Sequence, residues 1–437
     1  MSFRDVLIEQ KREWQELLKR PYVRRRVRVP AGFETLARVV LGPRRAGKSV
    51  FAAHLAAGES GPCGYVNFDD ERLAGLTDTL SLMAALDAVY DNPQVLLFDE
   101  IQNVSNWELW VNRLQRQGRR LILTGSNAHL LSSELATHLT GRHFGIPMLT
   151  FSFVEYLDAL GHGDGENLTA PEKREACRSY AETGGFPEVV TKRIEGPDYL
   201  RTLTSAVIHK DIVVRHRVRA PQALDALVLC LLSQPGAAYS FRRLAQATGC
   251  RSVHTLKKYI GYLQQAFLVF TVPAFSFKPR EQSASLKKAY AIDNGLIRAA
   301  GFHSSENRGR LMENLVAIRL YRDELAGGAR VFYWQDPQKA EVDFVVFRNR
   351  RVEQLIQVCV DASGDKTQER EVRGLLKASR ELGCDDLLLL TESDEGVEEV
   401  SWHGMNGVIR RMPIADWLLE SPSESGAPLS TSKQTLN

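Results

Sequence analysis

The sequence predicts an α/β multidomain protein whose first large domain is a doubly wound parallel sheet. Short apolar runs alternate with helical stretches between residues 34 and 158, the pattern of parallel strands connected by helices. A glycine-rich octapeptide, GPRRAGKS at 42–49, directly follows the first of these runs. At 437 residues the chain is too long for one hydrophobic core, so further domains are expected after this sheet.

The composition excludes several classes of protein. Hydrophobic residues make up 44% and charged residues 25%, as in ordinary soluble proteins, and the net charge of +3 predicts no particular partner. The six cysteines include no Cys-x-x-Cys pair, which argues against a zinc ribbon and indicates a reducing compartment. No apolar run is long enough to span a membrane or to form a signal peptide. We therefore expect a cytoplasmic protein.

Residues 1–33 are predicted to form a helical basic arm. A charged amphipathic helix runs into a cluster of arginines, Arg24-Arg25-Arg26-Val27-Arg28. Such a cluster is suited to contacts with nucleic-acid phosphates. It is equally compatible with a solvated arm that folds over the next domain, and the sequence leaves both interpretations open.

The octapeptide fits a phosphate-binding loop in its expected context. A candidate strand at 36–41 precedes it, and apolar residues at helical spacing follow it. Its glycines let the backbone curl so that N–H groups point inward, at the positive end of the next helix. Lys48 would reach the β- and γ-phosphates of ATP, and the Ser49 hydroxyl would bind Mg²⁺. The predicted phosphate-binding residues are Gly42, Arg45, Ala46, Gly47, Lys48, Ser49 and Val50.

A second motif supplies carboxylates. The candidate strand 95–99 is apolar and ends in Asp99, with Glu100 next in the chain. In α/β folds, nucleotides bind at the carboxyl ends of the strands. Asp99 would hold Mg²⁺, and Glu100 would orient and polarise the attacking water. Together with the loop, this pair predicts ATP hydrolysis.

Two more strands are expected, at 64–68 and 120–124. The second of them leads into Ser126 and Asn127. Polar side chains at that point could sense the γ-phosphate and help to position water, and both residues are catalytic candidates. They could equally cap the next helix, since Ser and Asn are both good N-caps.

Several motifs, taken in order, resemble those of the AAA-superfamily ATPases of bacteria and archaea that carry a C-terminal nuclease-like domain. They are GPRRAGKS, LLFDEIQ, LTGSNA, LTGR and FSFVEYL, followed by GGFPE and HKDI, and the resemblance covers nearly the whole chain. It implies an AAA-type P-loop ATPase core at 34–158 and a helical lid over the nucleotide at 159–220.

The resemblance also makes Arg142 a candidate arginine finger or sensor that would stabilise charge on the γ-phosphate. The alternative is a surface salt bridge. A neighbouring copy often supplies such a finger, so a homo-oligomer is compatible with the sequence, and action in cis or in trans stays open.

Residues 221–280 are expected to form a winged helix-turn-helix. The pattern gives a helix at 241–248, a turn at Gly249, a second helix to about 266, and a wing with strands near 267–270 and 275–278. The first residues of the second helix would enter the major groove of DNA. The DNA-binding candidates are therefore Ser252, His254, Thr255, Lys257 and Lys258. Use of the module for protein docking is the alternative.

For residues 281–420 the resemblance implies a PD-(D/E)xK nuclease-like domain. Its predicted elements are a helix at 310–324, strands at 331–334, 341–347 and 352–360, a helix at 366–381 and a strand at 386–390. Metal ligands in that fold correspond here to Glu313, Asp343 and Gln357, with Cys359 where a lysine is expected. An amide and a thiol supply neither the carboxylate nor the ammonium, so this site is expected to be degenerate. Residues 421–437 are predicted to be a disordered tail.

These features give three hypotheses for function. The first is Mg²⁺-dependent ATP hydrolysis coupled to DNA binding through the winged helix and the nuclease-like domain. The second is an ATP-gated, metal-dependent DNA nuclease. The third is a nucleotide-controlled protein-docking regulator that has no DNA activity. The predicted cofactors are ATP and Mg²⁺, DNA is the expected partner, and the sequence does not identify a protein partner.

Overall fold

The computed structural model describes residues 2–29, 36–127, 142–192, 194–300, 308–360 and 365–420. The predicted disordered tail at 421–437 lies outside the described residues, as do the last residue of the LTGSNA motif and the first three residues of the LTGR motif. No helix in these ranges is long and apolar enough to cross a membrane.

The first sheet has five parallel strands among the described residues, in the order β2-β3-β4-β1-β5. They are β1 (Ala37–Leu41), β2 (Cys63–Asn67), β3 (Val95–Asp99), β4 (Arg120–Gly125) and β5 (His143–Pro147). Strands β1 and β3 are buried along their whole length, as expected where helices cover both faces. The predicted parallel sheet is confirmed. Strand β5 was not predicted, because its Gly and Pro are untypical of strand interiors.

Four α-helices belong to this nucleotide domain in the described ranges: α1 (Phe3–Leu18), α2 (Lys48–Ala57), α3 (Thr79–Tyr90) and α4 (Trp107–Arg116), and two short 3₁₀ helices lie at Glu71–Leu73 and Ile101–Asn103. Helix α1 buries Val6 and Leu7 in the same core as the sheet. The side chain of Gln10 exchanges two hydrogen bonds with the backbone of Asn67, of 3.1 and 3.0 Å. The arm therefore folds over the nucleotide domain, which is the second of its two interpretations.

A helical region follows, as predicted. It contains α5 (Phe153–Ala159), α6 (Ala170–Thr183), α7 (Pro187–Lys192) and α8 (Gly196–Ala206), which continues into a π-helix at Val207–Val214. Helix α5 begins at a capping box in which Ser152 and Glu155 satisfy each other's backbone N–H groups. A π-helix of this length is rare and is often found at functional sites.

The next unit contains α9 (Pro221–Ser233), β6 (Ala238–Tyr239), α10 (Phe241–Thr248), α11 (Val253–Gln265), β7 (Val269–Pro273), α12 (Pro279–Ala284), β8 (Lys287–Ala291) and α13 (Asn294–Ala299). Helices α10 and α11 agree with the predicted helix-turn-helix: Gly249 turns with a φ of 68°, and Ser252 caps α11. The three strands pair antiparallel in the order β6-β8-β7.

The predicted returning strand at 275–278 is wrong. The backbone N–H of Phe275 bonds instead to the carbonyl of Tyr333, in the next domain, and residues from Pro279 onward form a helix. Strand β8 takes the place of the predicted strand. The three-stranded sheet therefore crosses the predicted domain boundary at 280/281.

The last domain has a six-stranded sheet in the order β13-β14-β12-β11-β10-β9. Its elements are α14 (Arg308–Leu325), β9 (Arg330–Gln335), β10 (Glu341–Arg348), β11 (Arg351–Cys359), α15 (Asp365–Leu382), β12 (Leu387–Thr391), β13 (Gly396–Trp402), β14 (Met405–Pro413) and α16 (Ile414–Leu419). The predicted series of a helix, three strands, a helix and a strand is present, and β13 and β14 extend the sheet.

Candidate nucleotide-binding site

The glycine-rich loop connects the carboxyl end of β1 to the N-terminus of α2. A Cβ atom on Gly42 would lie 1.8 Å from the carbonyl oxygen of Met148, so only glycine fits there. Gly47 has a φ of 90°, in the left-handed region, and is the N-cap of α2. The first N–H groups of a helix have no acceptor within the helix. The loop is therefore a cradle for an anion.

Lys48 lies inside this cradle with only 3% of its side chain exposed. Its Nζ donates to the carbonyl of Pro43 at 2.8 Å and lies 3.9 Å from Oε1 of Glu100. Burial lowers the pKa of Lys48 below its ordinary value, against the opposing effect of Glu100 and Asp99. A phosphate anion in the cradle would stabilise the charged form of this lysine.

The side chains suited to a cation come from α2 and β3. The Ser49 hydroxyl donates to Oδ1 of Asp99 at 3.0 Å, and the Thr124 hydroxyl donates to the same oxygen. Burial raises the pKa of Asp99, and the charge of Glu100 adds to this shift. A hydroxyl and a carboxylate side by side are hard oxygen donors, which fit Mg²⁺.

Glu100 is held in an unusual conformation. Its φ of 52° and ψ of 47° lie in the left-handed region, which is sparsely populated by residues other than glycine. Its backbone N–H donates to the Thr124 hydroxyl at 3.0 Å, and its carboxylate accepts hydrogen bonds from Ser126, at 3.0 Å, and from Gln102. Burial alone would raise the pKa of Glu100, but Lys48 and these hydrogen bonds lower it below its ordinary value. The carboxylate is therefore ionised and can accept a proton.

The other predicted residues of the site fall in different places. Asn127 directly follows Ser126 at the same edge of the sheet, and Val50 lies in the first turn of α2. The carbonyl of Ala46 accepts a hydrogen bond from Arg25 of the arm. Arg45 has a φ of 64° and 62% of its side chain exposed, and its guanidinium lies 3.5 Å from Glu188 of the GGFPE motif.

Arg142 is not brought to the site of its own chain. It is exposed and immediately precedes β5, whose first residue pairs with Ala37, the first residue of β1. The glycine-rich loop follows Leu41, at the other end of β1. Arg142 therefore lies at the amino edge of the sheet, opposite the loop, which contradicts a role in cis.

Another arginine, which the motifs did not predict as a site residue, does lie at this site. Arg44 donates to Asp211 of the π-helix through Nε, at 2.5 Å, and through a terminal nitrogen, at 2.9 Å. These hydrogen bonds raise the pKa of Arg44. Lys210, the neighbour of Asp211, reaches Asp69 after β2 at 3.3 Å. Asp211 belongs to the HKDI motif, but its partner Arg44 is 167 residues away in sequence, so no local pattern predicts the contact.

A second missed residue is Arg25 of the arm. Its guanidinium donates to the carbonyls of Ala46, at 2.7 Å, and of Leu149, at 2.6 Å, and to the carboxylate of Glu155 at 3.1 Å. Burial would raise the pKa of Glu155, but Arg25 holds it below its ordinary value. Nothing in the arginine cluster distinguishes this buried residue from Arg24 and Arg26, which are exposed.

The DNA-binding candidates lie together at the start of α11. Ser252, His254, Lys257 and Lys258 are exposed, and Thr255 is half-buried and donates its backbone N–H to Ser252. Lys257 lies over the ring of Phe241, with its nitrogen 5.3 Å from the ring centre. The predicted residues of the nuclease-like site also converge: Gln357 accepts from the backbone N–H of Asp343 at 3.0 Å, and Lys288 bridges Asp343 and Glu313.

Comparison with known proteins adds three domain assignments. Residues 35–157 match a family model described as an AAA domain. Residues 174–306 and 308–409 each match a model described as a domain of unknown function. The AAA match covers the strand, loop and carboxylate pair described above.

Relatives were found in an archaeon and in a bacterium. The Methanocaldococcus jannaschii protein MJ1544, which bears the description uncharacterized, is 30% identical over 395 residues, covering 87% of this chain and 88% of that protein. An uncharacterized protein of Haemophilus influenzae is 29% identical over 300 residues, covering 65% and 74%. The RuvB Holliday junction branch migration motor of Thermotoga maritima is 18% identical, with a TM-score of 0.29, over 61% of this chain and 89% of that one. The chain belongs to the same protein family as MJ1544 and has an AAA domain at residues 35–157.

Proposed function

We propose that this protein is a Mg²⁺-dependent ATPase. The observation that carries the proposal is the convergence of Lys48, Ser49, Asp99 and Glu100 at the carboxyl edge of one parallel sheet. The AAA domain assignment supports it, because this family implies nucleotide binding, typically with Mg²⁺.

Different residues of the chain would bind the phosphates, hold the metal ion and accept the proton during hydrolysis. The N–H groups of the loop and Lys48 would bind the phosphates. Ser49 and Asp99 would hold Mg²⁺, which would neutralise charge on the phosphate oxygens. The Glu100 carboxylate accepts a hydrogen bond from the attacking water and takes up its proton. Ser126 and Gln102 fix the orientation of that carboxylate.

Two variants distinguish ATP binding from ATP hydrolysis. Glu100→Gln retains the shape of the side chain but cannot take up the proton, so ATP should bind with little change while hydrolysis falls by at least about 100-fold. Lys48→Ala should lose ATP binding itself. Titration with a fluorescent ATP analogue, beside a phosphate-release assay, measures both. Hydrolysis by Glu100→Gln at the wild-type rate would contradict the assignment of the base.

We further propose that the ATPase is coupled to DNA binding by the helix-turn-helix. The order α9, β6, α10, α11, β7, β8, with β8 between the other two strands, supports a winged helix. Lys258 and His254 lie exposed on the N-terminal turns of α11, the part that enters the major groove in such proteins.

A route for coupling supports this second proposal. Arg44 of the loop is bonded to Asp211 of the π-helix. His216, just after the π-helix, stacks on Tyr262 of α11, with ring centres 3.8 Å apart and planes within 9°. A shift of the loop on ATP hydrolysis would thus be transmitted through one continuous set of contacts to the candidate DNA-binding helix.

The test of DNA binding is a titration of duplex DNA at several salt concentrations. Lys258→Ala should weaken binding and reduce the salt slope by about 1, as for the loss of one phosphate contact. Lys19→Ala, at an exposed lysine at the end of the arm helix, is the matched control and should leave both unchanged. Absence of DNA binding by the wild type would contradict this proposal and favour a protein-docking role.

A further inference from the structure

A buried lysine lies at the centre of a carboxylate cluster in the last domain. Lys288, on strand β8, has 3% of its side chain exposed. Its Nζ lies 2.5 Å from Oε1 of Glu341, 3.1 Å from Oδ1 of Asp343 and 3.3 Å from Oε1 of Glu313. These carboxylates come from α14 and β10, whereas the lysine comes from the three-stranded sheet before them.

The remaining polar atoms of the cluster are also engaged. The Tyr290 hydroxyl donates to Glu313 at 2.7 Å, and the backbone N–H of Val358 donates to the second oxygen of Asp343 at 3.1 Å. Gln357 donates to Glu371 at 2.6 Å while accepting from the backbone of Asp343. Because each group has a partner with Lys288 in place, the cluster is complete as it stands.

We propose that the ammonium group of Lys288 is the cation that neutralises this cluster. It lies among the oxygens of Glu313 and Asp343, which correspond to metal ligands in the nuclease-like fold. The cluster then connects the three-stranded sheet to the last domain through salt bridges, and it is not a hydrolytic centre. In agreement, no group of three or more His, Cys, Asp or Glu side chains within the described ranges is arranged to hold a metal ion.

These salt bridges hold the three-stranded sheet against the last domain. Strand β8 is the central strand of the β6-β8-β7 sheet, and Lys288 pairs with both Ala238 and Val272. The turn before β6 also approaches closely, since a Cβ on Gly236 would lie 2.6 Å from Glu313. Separation of the sheet from the last domain would leave buried carboxylates without a counter-charge, which is costly. The two units therefore move together.

Manganese is the probe, because it replaces Mg²⁺ at carboxylates and its free form is measured by electron paramagnetic resonance. The full chain carries Asp99→Asn, which removes the carboxylate from the candidate nucleotide site, and no nucleotide is added. We expect this protein to bind no Mn²⁺ at the cluster and its unfolding midpoint to be unchanged by the ion. The inference does not depend on ATP hydrolysis.

Adding Lys288→Met should lower the unfolding midpoint in metal-free buffer. Mn²⁺ should then raise it, with about one ion bound per chain, because ligand binding to the folded state stabilises it. A further Asp343→Asn change should abolish this response. Lys287→Met is the matched control, since adjacent side chains on a strand point to opposite faces, and it should create no response.

Two results would overturn the inference. One is Mn²⁺ bound by the Asp99→Asn protein and lost on Asp343→Asn, which would mean that the carboxylates hold a metal beside the lysine. The other is a folded Lys288→Met protein with no Mn²⁺ response. If Lys288→Met does not fold, the first comparison decides alone, since it leaves the lysine intact.

Discussion

Among single residues, Thr124 decides how the two acidic side chains of the candidate site are held. Its hydroxyl donates to Asp99 and accepts from the backbone N–H of Glu100. The Thr124 hydroxyl thus orients the carboxylate of Asp99, the candidate Mg²⁺ ligand. It also fixes the strained backbone of Glu100, whose carboxylate is the candidate base.

We expect Thr124→Val to damage both functions at once. The change keeps the shape of the side chain but leaves the N–H of Glu100 without its acceptor, at a cost of about 1–3 kcal/mol in the free energy of unfolding. ATP hydrolysis should fall with it, whereas Thr124→Ser should retain both properties. Urea unfolding and a phosphate-release assay test this, and equal loss in the valine and serine variants would show that the hydroxyl is unimportant.

Arg25 gives a second prediction for a single residue. Replacing it by Met removes the salt bridge of the buried Glu155 carboxylate and the donor to the carbonyls of Ala46 and Leu149, so the free energy of unfolding should fall by about 3–5 kcal/mol. Arg24→Met, at the exposed neighbour, should change it by less than about 0.5 kcal/mol. Chemical denaturation measures both, and a mild effect of Arg25→Met would contradict the anchoring role of the arm.

The residues of the candidate site were predictable where chemistry depends on local spacing. Lys48 and Ser49 come at the end of the loop that follows one short apolar strand, Asp99 and Glu100 lie at the end of another, and the structure brings all four together. Arg25 was not predictable as a buried group, because its partner Glu155 is 130 residues away in sequence. Arg142 was assigned through its motif, and only the register of β5 shows that it lies at the wrong edge for its own site.

At the scale of elements, the π-helix determines how the helical region meets the glycine-rich loop. It buries Asp211 and directs the carboxylate to Arg44, and its other end leads to His216 against α11. Sequence patterns predicted a helix here, but the distinction between an α-helix and a π-helix depends on tertiary contacts.

A double-mutant cycle on Arg44→Met and Asp211→Asn tests this contact. The pair is bidentate and mostly buried, so we expect a coupling energy of about 1–3 kcal/mol in the free energy of unfolding. Either single change should also reduce the stimulation of ATP hydrolysis by DNA. Additive effects of the two changes would mean that the pair does not connect the loop to the π-helix.

Strand β8 shows why domain boundaries were less predictable than elements. The predicted boundary at 280/281 assigned this strand to the last domain, yet the strand completes the preceding sheet and places Lys288 against the carboxylates of the last domain. One segment serves two units, and this dual role depends on contacts that no local pattern encodes.

For the whole molecule, the contacts form a series from the arm to the last domain. Arg25 fixes the loop to α5, Arg44 fixes it to the π-helix, and Lys288 fixes the three-stranded sheet to the carboxylate cluster. Arg142 lies at the opposite edge of the sheet from its own site, so we propose that any finger role would require a neighbouring copy of the chain.

We propose that the site around Lys48 and Glu100 hydrolyses ATP and that DNA controls the rate of hydrolysis. The most direct measurement is ATP hydrolysis by the wild type and by Glu100→Gln, each with and without duplex DNA. We predict that DNA raises the wild-type rate several-fold and that Glu100→Gln stays inactive in both conditions. A wild-type rate that is the same with and without DNA would contradict the coupling, and hydrolysis that persists in Glu100→Gln would contradict the site itself.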